Sequence, residues 1–211
     1  MTPADKLNFT NISRALANYR PEILTPDNRQ GHAAVALLLR EGPLSPEALF
    51  IIRAEHDQDP WSGNIAFPGG RLNPGGESPQ QAAERETFEE LSLDLGRAQY
   101  LGRINDLYGA TLPVLVSCFV YQLLEPARLQ PNHEVAEAFW CPLTKLMEPE
   151  RQQQRTFFYS GAEHTHPVVE LLDPHQPLLW GITYRLICSF FESCALGFNS
   201  PEPTESTSFR T

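Results

Sequence analysis

The stretch Ala66–Leu95, AFPGGRLNPGGESPQQAAERETFEELSLDL, places a glycine-rich turn directly ahead of a segment dense in carboxylates. Ser78, Pro79 and Gln81 mark a helix start. Ser78 can cap, proline fits the first helical position, and a glutamine three residues after the cap closes a capping box. With about 100° of rotation per residue, Glu86, Glu89 and Glu90 then fall within an arc of roughly 100° and address one place. Ala83, Thr87 and Leu91 form the adjacent face. Like charges so close weaken a helix unless something positive offsets them, and hard carboxylate oxygens suit magnesium or manganese. An isolated ExxEE is usually a solvated acidic face. Here Pro68-Gly69-Gly70 lets backbone approach a ligand or metal, and Arg85 can hold neighbouring carboxylates bidentately, so the combination reads as a metal cluster.

These residues resemble the Nudix hydrolase family, whose box reads G-x5-E-x7-R-E-U-x-E-E-x-G-U, with U aliphatic. Gly70, Glu77, Arg85, Glu86, Glu89, Glu90 and Leu93 supply the pattern, with six residues instead of five between Gly70 and Glu77. Thr87 stands for an aliphatic residue and Ser92 for glycine. Around the box, LFIIRAEHDQDPWSGNIAFPGGR, HEVAEAFWCPL and LLWGITYRL are similar to segments of the coenzyme A diphosphatase branch. That branch usually carries a basic LRxHxG sequence where this chain has DQDPWSG, with Asp57, Asp59 and Trp61. Coenzyme A has an extra 3′-phosphate, so the lost positive charge leaves nucleotide sugars and dinucleotides open as substrates.

The resemblance implies an α/β fold, a mixed β-sheet sandwiched between α-helices, and metal-dependent hydrolysis of a diphosphate linkage in a nucleoside diphosphate derivative. It implies Mg2+ or Mn2+ on Glu86, Glu89 and Glu90, with the Gly70 carbonyl completing a shell and Arg85 orienting the cluster. Such metals activate water and offset charge on phosphoryl oxygens. Glu134 and Glu137 are candidates for an extra base or ligand, although a Glu flanking a strand is more often simply solvated. Arg53 is a candidate for phosphate and Trp61 for a nucleobase, each with a structural alternative: a partner for an acidic loop, or a cover over the core. A non-catalytic nucleotide sensor on the same scaffold is the competing function class, and retention of the whole acidic cluster argues against it.

The elements that must position these residues are legible as patterns. Ile12, Ala15, Leu16 and Tyr19 predict an amphipathic helix within 8–19. Ala33–Leu39 and Leu49–Ile52 predict paired strands across EGPLSPEA; Gln99–Ile104, Val114–Leu124 and Ala138–Cys141 predict further strands, the last closing a sheet edge at Pro142. The segment after Pro142 reads as irregular. Leu179, Ile182, Leu186, Ile187 and Phe190 predict a final helix over Leu179–Leu196. Domain organisation follows: an N-terminal helix and connection over 1–30, the hydrolase domain over 31–196, and a disordered tail over 197–211 rich in Pro, Ser, Thr and Glu.

The bulk numbers agree with this reading. At 211 residues, 41% hydrophobic and 20% charged, the chain fits one folded domain with additions. A formal charge of −10 argues against a nucleic-acid polymer as partner and leaves a polyanionic small molecule feasible if cations neutralise the site. Cys118, Cys141, Cys188 and Cys194 lack metal-ligand spacing, and the six histidines form no zinc pattern with them; His164-x-His166 is noted only for adventitious metal. Neither a secretory leader nor a membrane span is legible, so a reducing cytoplasm is expected, with a homodimer open as the assembly state.

Overall fold

The computed structural model describes residues 7–26, 31–56, 61–109, 113–159, 161–172 and 176–196. The expected disordered tail over 197–211 lies outside them, as do Asp57, Asp59 and His175. Two long strands, β1 (Gly31–Arg40) and β7 (Val114–Gln122), run parallel from Gly31↔Val114 to Leu39↔Gln122 and form the centre of a mixed sheet. Their neighbours are antiparallel: β2 (Glu47–Arg53) on β1, β8 (Val135–Pro142) on β2, and β5 (Gln99–Arg103) and β6 (Leu107–Tyr108) on β7.

The pairing of β1 with β2 stops early and creates the site. Only Leu39↔Ala48 and Arg40↔Glu47 are matched before the two strands part. Two short strands fill the gap: β3 (Ile65–Ala66) pairs with Ile52 and Ile51 of β2, and β4 (Gly69–Arg71) pairs with Val35, Ala34 and Ala33 of β1. Phe67-Pro68 joins them, buried through Phe67 and bonded from the Ala36 N–H to the Pro68 carbonyl at 2.9 Å. The glycine turn is thereby wedged into the sheet, beneath the face that the acidic helix covers.

That helix, α2 (Pro79–Leu91), lies on one face and α1 (Phe9–Asn18) and α4 (Gly181–Ser193) lie on the other. Alternation along β1 explains the division: Ala34, Ala36 and Leu38 point to α2, and Leu37 and Leu39 to α1 and α4. Small residues on both sides, Ala34 and Ala36 against Ala82 and Ala83, leave little volume between sheet and α2. The helix axis therefore sits close to the glycine turn. Opposite, Phe9, Ile12 and Leu16 of α1 and Leu186, Ile187 and Phe190 of α4 bury into the larger core.

Two expectations need correction. The segment after Pro142 is not irregular: it forms a short helix α3 (Leu143–Leu146) and a hairpin of β9 (Gln152–Tyr159) and β10 (Ala162–Val169) outside the main sheet. The last helix starts at Gly181, because Leu179 exchanges backbone hydrogen bonds with Val169 and is held extended against β10. The other expected elements are present: α1 carries Ile12, Ala15 and Leu16 of the predicted stripe and ends before Tyr19, its extended C-cap, and β8 forms a sheet edge ending at Pro142. Among the described residues no helix is long and apolar enough to cross a membrane.

Candidate active site

Ser78 starts α2 as its type and spacing demand. Its hydroxyl accepts from the Gln81 N–H at 3.2 Å, and the Gln81 side chain accepts from the Ser78 N–H at 2.9 Å. From this start Ala82, Ala83, Thr87 and Leu91 face the sheet, fully buried, and fix which face the carboxylates take. Thr87, where an aliphatic residue was expected, spends its hydroxyl on the Ala83 carbonyl at 2.7 Å, so burying it leaves no unpaired donor.

Glu90 is the most enclosed of the three box carboxylates. It is 2% exposed, and its Oε2 accepts from the Gly69 N–H at 2.9 Å. Burial pushes its carboxyl up to about 8 despite that bond and the opposing charge of Arg53, with Glu86 and Glu134 adding to the rise. Glu86 is raised in the same direction, again first by burial. Its carboxylate lies against Gly70, where a Cβ would overlap it, so only glycine permits this approach. Glu89 stands further out, its side chain 53% exposed.

Arg85 organises the cluster. It grips Glu77 with Nε at 2.7 Å and Nη2 at 3.1 Å, and Nη1 reaches Glu86 at 2.9 Å and Glu89 at 3.1 Å. Nη2 also donates to the Arg71 carbonyl at 3.0 Å, which ties the helix to the glycine turn. The arginine holds the Glu77 carboxyl below the usual range, helped by the Asn73 N–H at 2.6 Å. The sequence matched Glu77 to the box without giving it a role. Its position eight residues before Arg85, across a loop, leaves no helical spacing from which that pairing could be read.

The described structure also separates the two outer carboxylates. The loop before β8 clasps the end of α2 through Gln130 N–H to the Leu91 carbonyl and Asn132 N–H to the Glu90 carbonyl, at 2.9 and 2.8 Å. Glu134 follows in that loop, near enough to raise both Glu86 and Glu90. Glu137 pairs with Ile52 and shares its side of the sheet, opposite α2. Arg53 ends β2 with its charge acting on Glu90, and the Ala54 N–H bonds the Glu134 carbonyl at 2.8 Å. Trp61 sits half-buried in the turn leading to β3, its carbonyl accepting from Asn64 at 3.1 Å. Glu90, Glu86, Arg53 and Glu134 thus converge where β1 and β2 part.

The NUDIX domain family matches residues 29–160 of this sequence. The chain belongs to the Nudix family. A human protein named mitochondrial coenzyme A diphosphatase is 32% identical over 161 residues, covering 74% of this chain and 66% of that protein. Its mouse counterpart is 30% identical over 162 residues, covering 74% of each. An uncharacterised Schizosaccharomyces pombe protein is 38% identical over 116 residues, covering 51% of this chain and 35% of its own length. The chain therefore spans about a third of one of these relatives and about two thirds of the human one. A MutT/nudix family protein from Enterococcus faecalis shares the fold, with a TM-score of 0.53 over 85% of this chain and 66% of its own, at 18% identity.

The Nudix box here keeps its ionisable positions while altering its loop. The residue added before Glu77 is absorbed by Gly75 and Gly76, both at positive φ, and Glu77 still reaches Arg85. Ser92, in place of the box glycine, adopts the left-handed conformation at φ 53° and closes the helix with a bond from its N–H to the Phe88 carbonyl at 2.8 Å.

Whether the residues fit a divalent ion follows from the same contacts. Among the described residues no three His, Cys, Asp or Glu side chains stand grouped as a ligand set, because Glu86 and Glu89 turn to Arg85 and Glu90 to Gly69. The donors nonetheless match: three hard carboxylates, one of them raised in pKa chiefly by burial, beside a glycine cradle that a Cβ would fill. Arg85 takes one oxygen of each of Glu86 and Glu89, so the second oxygen of each could serve a cation while the arginine keeps its bidentate grip on Glu77.

Proposed function

We propose that this chain hydrolyses a diphosphate linkage in a nucleoside diphosphate derivative, with coenzyme A or its thioesters as the first substrate class to test. The observation that carries this is the placement of Glu86 and Glu90 against Gly70 and Gly69, within the field of Arg53 and Glu134. Glu86, Glu89 and Glu90 would hold Mg2+ or Mn2+, with the Gly70 carbonyl as a further oxygen donor. The bound metal supplies an activated water and offsets negative charge on the phosphoryl oxygens. In this reading Arg85 keeps the carboxylates oriented, Arg53 supplies positive charge for a phosphate, and Glu134 is the candidate extra base. Coenzyme A is favoured by the named relatives at 32% and 30% identity. Nucleotide sugars and dinucleotides are favoured by Asp57 and Asp59, which add negative charge to the sequence just before Trp61. The free, mostly buried cysteines fit a reducing compartment such as the cytoplasm.

Purified protein with manganese, screened against coenzyme A, nucleotide sugars and dinucleoside polyphosphates, should release two phosphorylated products from at least one class. Glu89→Gln and Glu90→Gln should each lower kcat by about a hundredfold or more, since disturbing even the groups around metal ligands typically costs 10–100-fold. Silence of the wild type on every class removes the hydrolase reading, and tight nucleotide binding without products replaces it with a sensor.

A further inference from the structure

Four rings of the β9–β10 hairpin, Phe157, Tyr159, His164 and His166, gather with Trp180 outside both apolar cores. Direct pairing sets Phe157 opposite His164 and Arg155 opposite His166, so these residues share one face with Tyr159. Trp180 covers part of it, stacked on Phe157 with centroids 4.3 Å apart at 13°. Tyr159 stacks on His164 at 4.2 Å and 20°, and its Oη lies 2.6 Å from His166 Nε2. His166 lies 5.6 Å from Trp180, centroid to centroid. All five rings are half-buried and belong to neither core cluster.

The face is electrically quiet. Burial first, then the neighbouring His164, holds His166 below the ordinary histidine range, and Arg155 is engaged by Glu170 at 3.0 Å. Flat, polarisable rings stack a nucleobase, whose every form has a π-face. The face is also tied to the glutamate cluster. Trp180 Nε1 donates to Asn64 Oδ1 at 2.9 Å, and the Asn64 carbonyl accepts from the Arg53 N–H at 3.1 Å. Arg53 in turn acts on Glu90.

We propose that this face of the hairpin, with Tyr159, His164 and Trp180 as its principal rings, stacks the nucleobase of the substrate while the diphosphate lies toward Arg53 and the glutamates. The assignment rests on the hydrolase reading for its role in catalysis, whereas binding of a base can be measured without it. Metal-free protein titrated with AMP should show saturable quenching of tryptophan fluorescence, and ribose 5-phosphate should not. Trp180→Phe should remove most of that signal. In the enzyme assay, Tyr159→Ala and His164→Ala should each raise KM for an adenine-containing diphosphate roughly tenfold, within the range expected for a lost base stack, with kcat within about twofold. Tyr159→Phe, which keeps the ring, should restore the wild-type KM.

Quenching by AMP in a protein that hydrolyses nothing keeps the stacking face and removes only the hydrolase. Turnover with an unchanged KM in both alanine variants, their melting temperatures intact, overturns the stacking face and leaves the hydrolase standing. Full quenching retained in Trp180→Phe overturns it as well.

Discussion

Arg85 and Glu90 hold the cluster in opposite ways, and each predicts a different response. Arg85 satisfies three carboxylates and a backbone carbonyl from one planar group, a geometry that a lysine ammonium cannot reproduce. Arg85→Lys keeps the charge and loses the fork, so activity should fall by about 10–100-fold while the fold persists; wild-type kcat/KM in this variant would show that charge alone orients the glutamates. Glu90 is held by burial against its own charge, with a carboxyl raised to about 8. A carboxyl raised in the folded state binds a proton on folding, so its favourable contribution is complete below the unfolded value near 4.5 and is lost as pH rises through 8. His32 and His166, lowered by burial, work in the opposite sense but are common to wild type and variant. In metal-free protein, Glu90→Gln should therefore gain stability relative to wild type progressively between about pH 5 and 8. Denaturant melts at several pH values measure the gap, and a constant difference would show that Glu90 is ionised throughout.

The box helix shows what spacing reveals and what it conceals. Its start, its buried face and its acidic face were all readable, because a cap, a proline and a 3.6-residue period are local signals. Its C-terminus departs from the family pattern at Ser92, and the structure shows the consequence: an L-residue in the left-handed conformation. Ser92→Gly should relieve that conformation and stabilise the protein by about 0.5–1 kcal/mol, or about 1–4 °C in Tm for a domain of this size. Thermal melts would sink the idea if glycine lowered Tm. The β9–β10 hairpin was not legible at all. QQQRTFFY and AEHTHPVV carry glutamines, threonines and histidines where a sheet facing a core would carry aliphatics, so their alternation of rings and polar groups never registered as hydrophobic period. Nor could sequence show that β1 and β2 part after two matched pairs, since that gap is closed by β3 and β4, two- and three-residue strands with no pattern of their own.

Across the whole molecule, the family match and the folded core do not share boundaries. The match covers residues 29–160, whereas the core on the face away from the box helix is completed by α1 before it and α4 after it. Ile12 is fully buried there, and the chain after α1 is clamped to the sheet by the Asn105 and Asp106 side chains, which accept from the Glu22 and Leu24 N–H groups at 2.8 and 2.9 Å. Asp106 is itself buried and gripped by Arg103, so this attachment draws on the sheet interior and not on surface contacts. The acidic cluster occupies the opposite face, with two layers of side chains between it and Ile12. Ile12→Ala should thus cost about 2–4 kcal/mol, lowering Tm on the order of ten degrees, while kcat and KM measured well below the transition stay within about twofold. Equal losses of stability and kcat would mean that α1 shapes the site through the sheet. An unchanged Tm would mean that the helix is an appendage, and the core would then have to close without it.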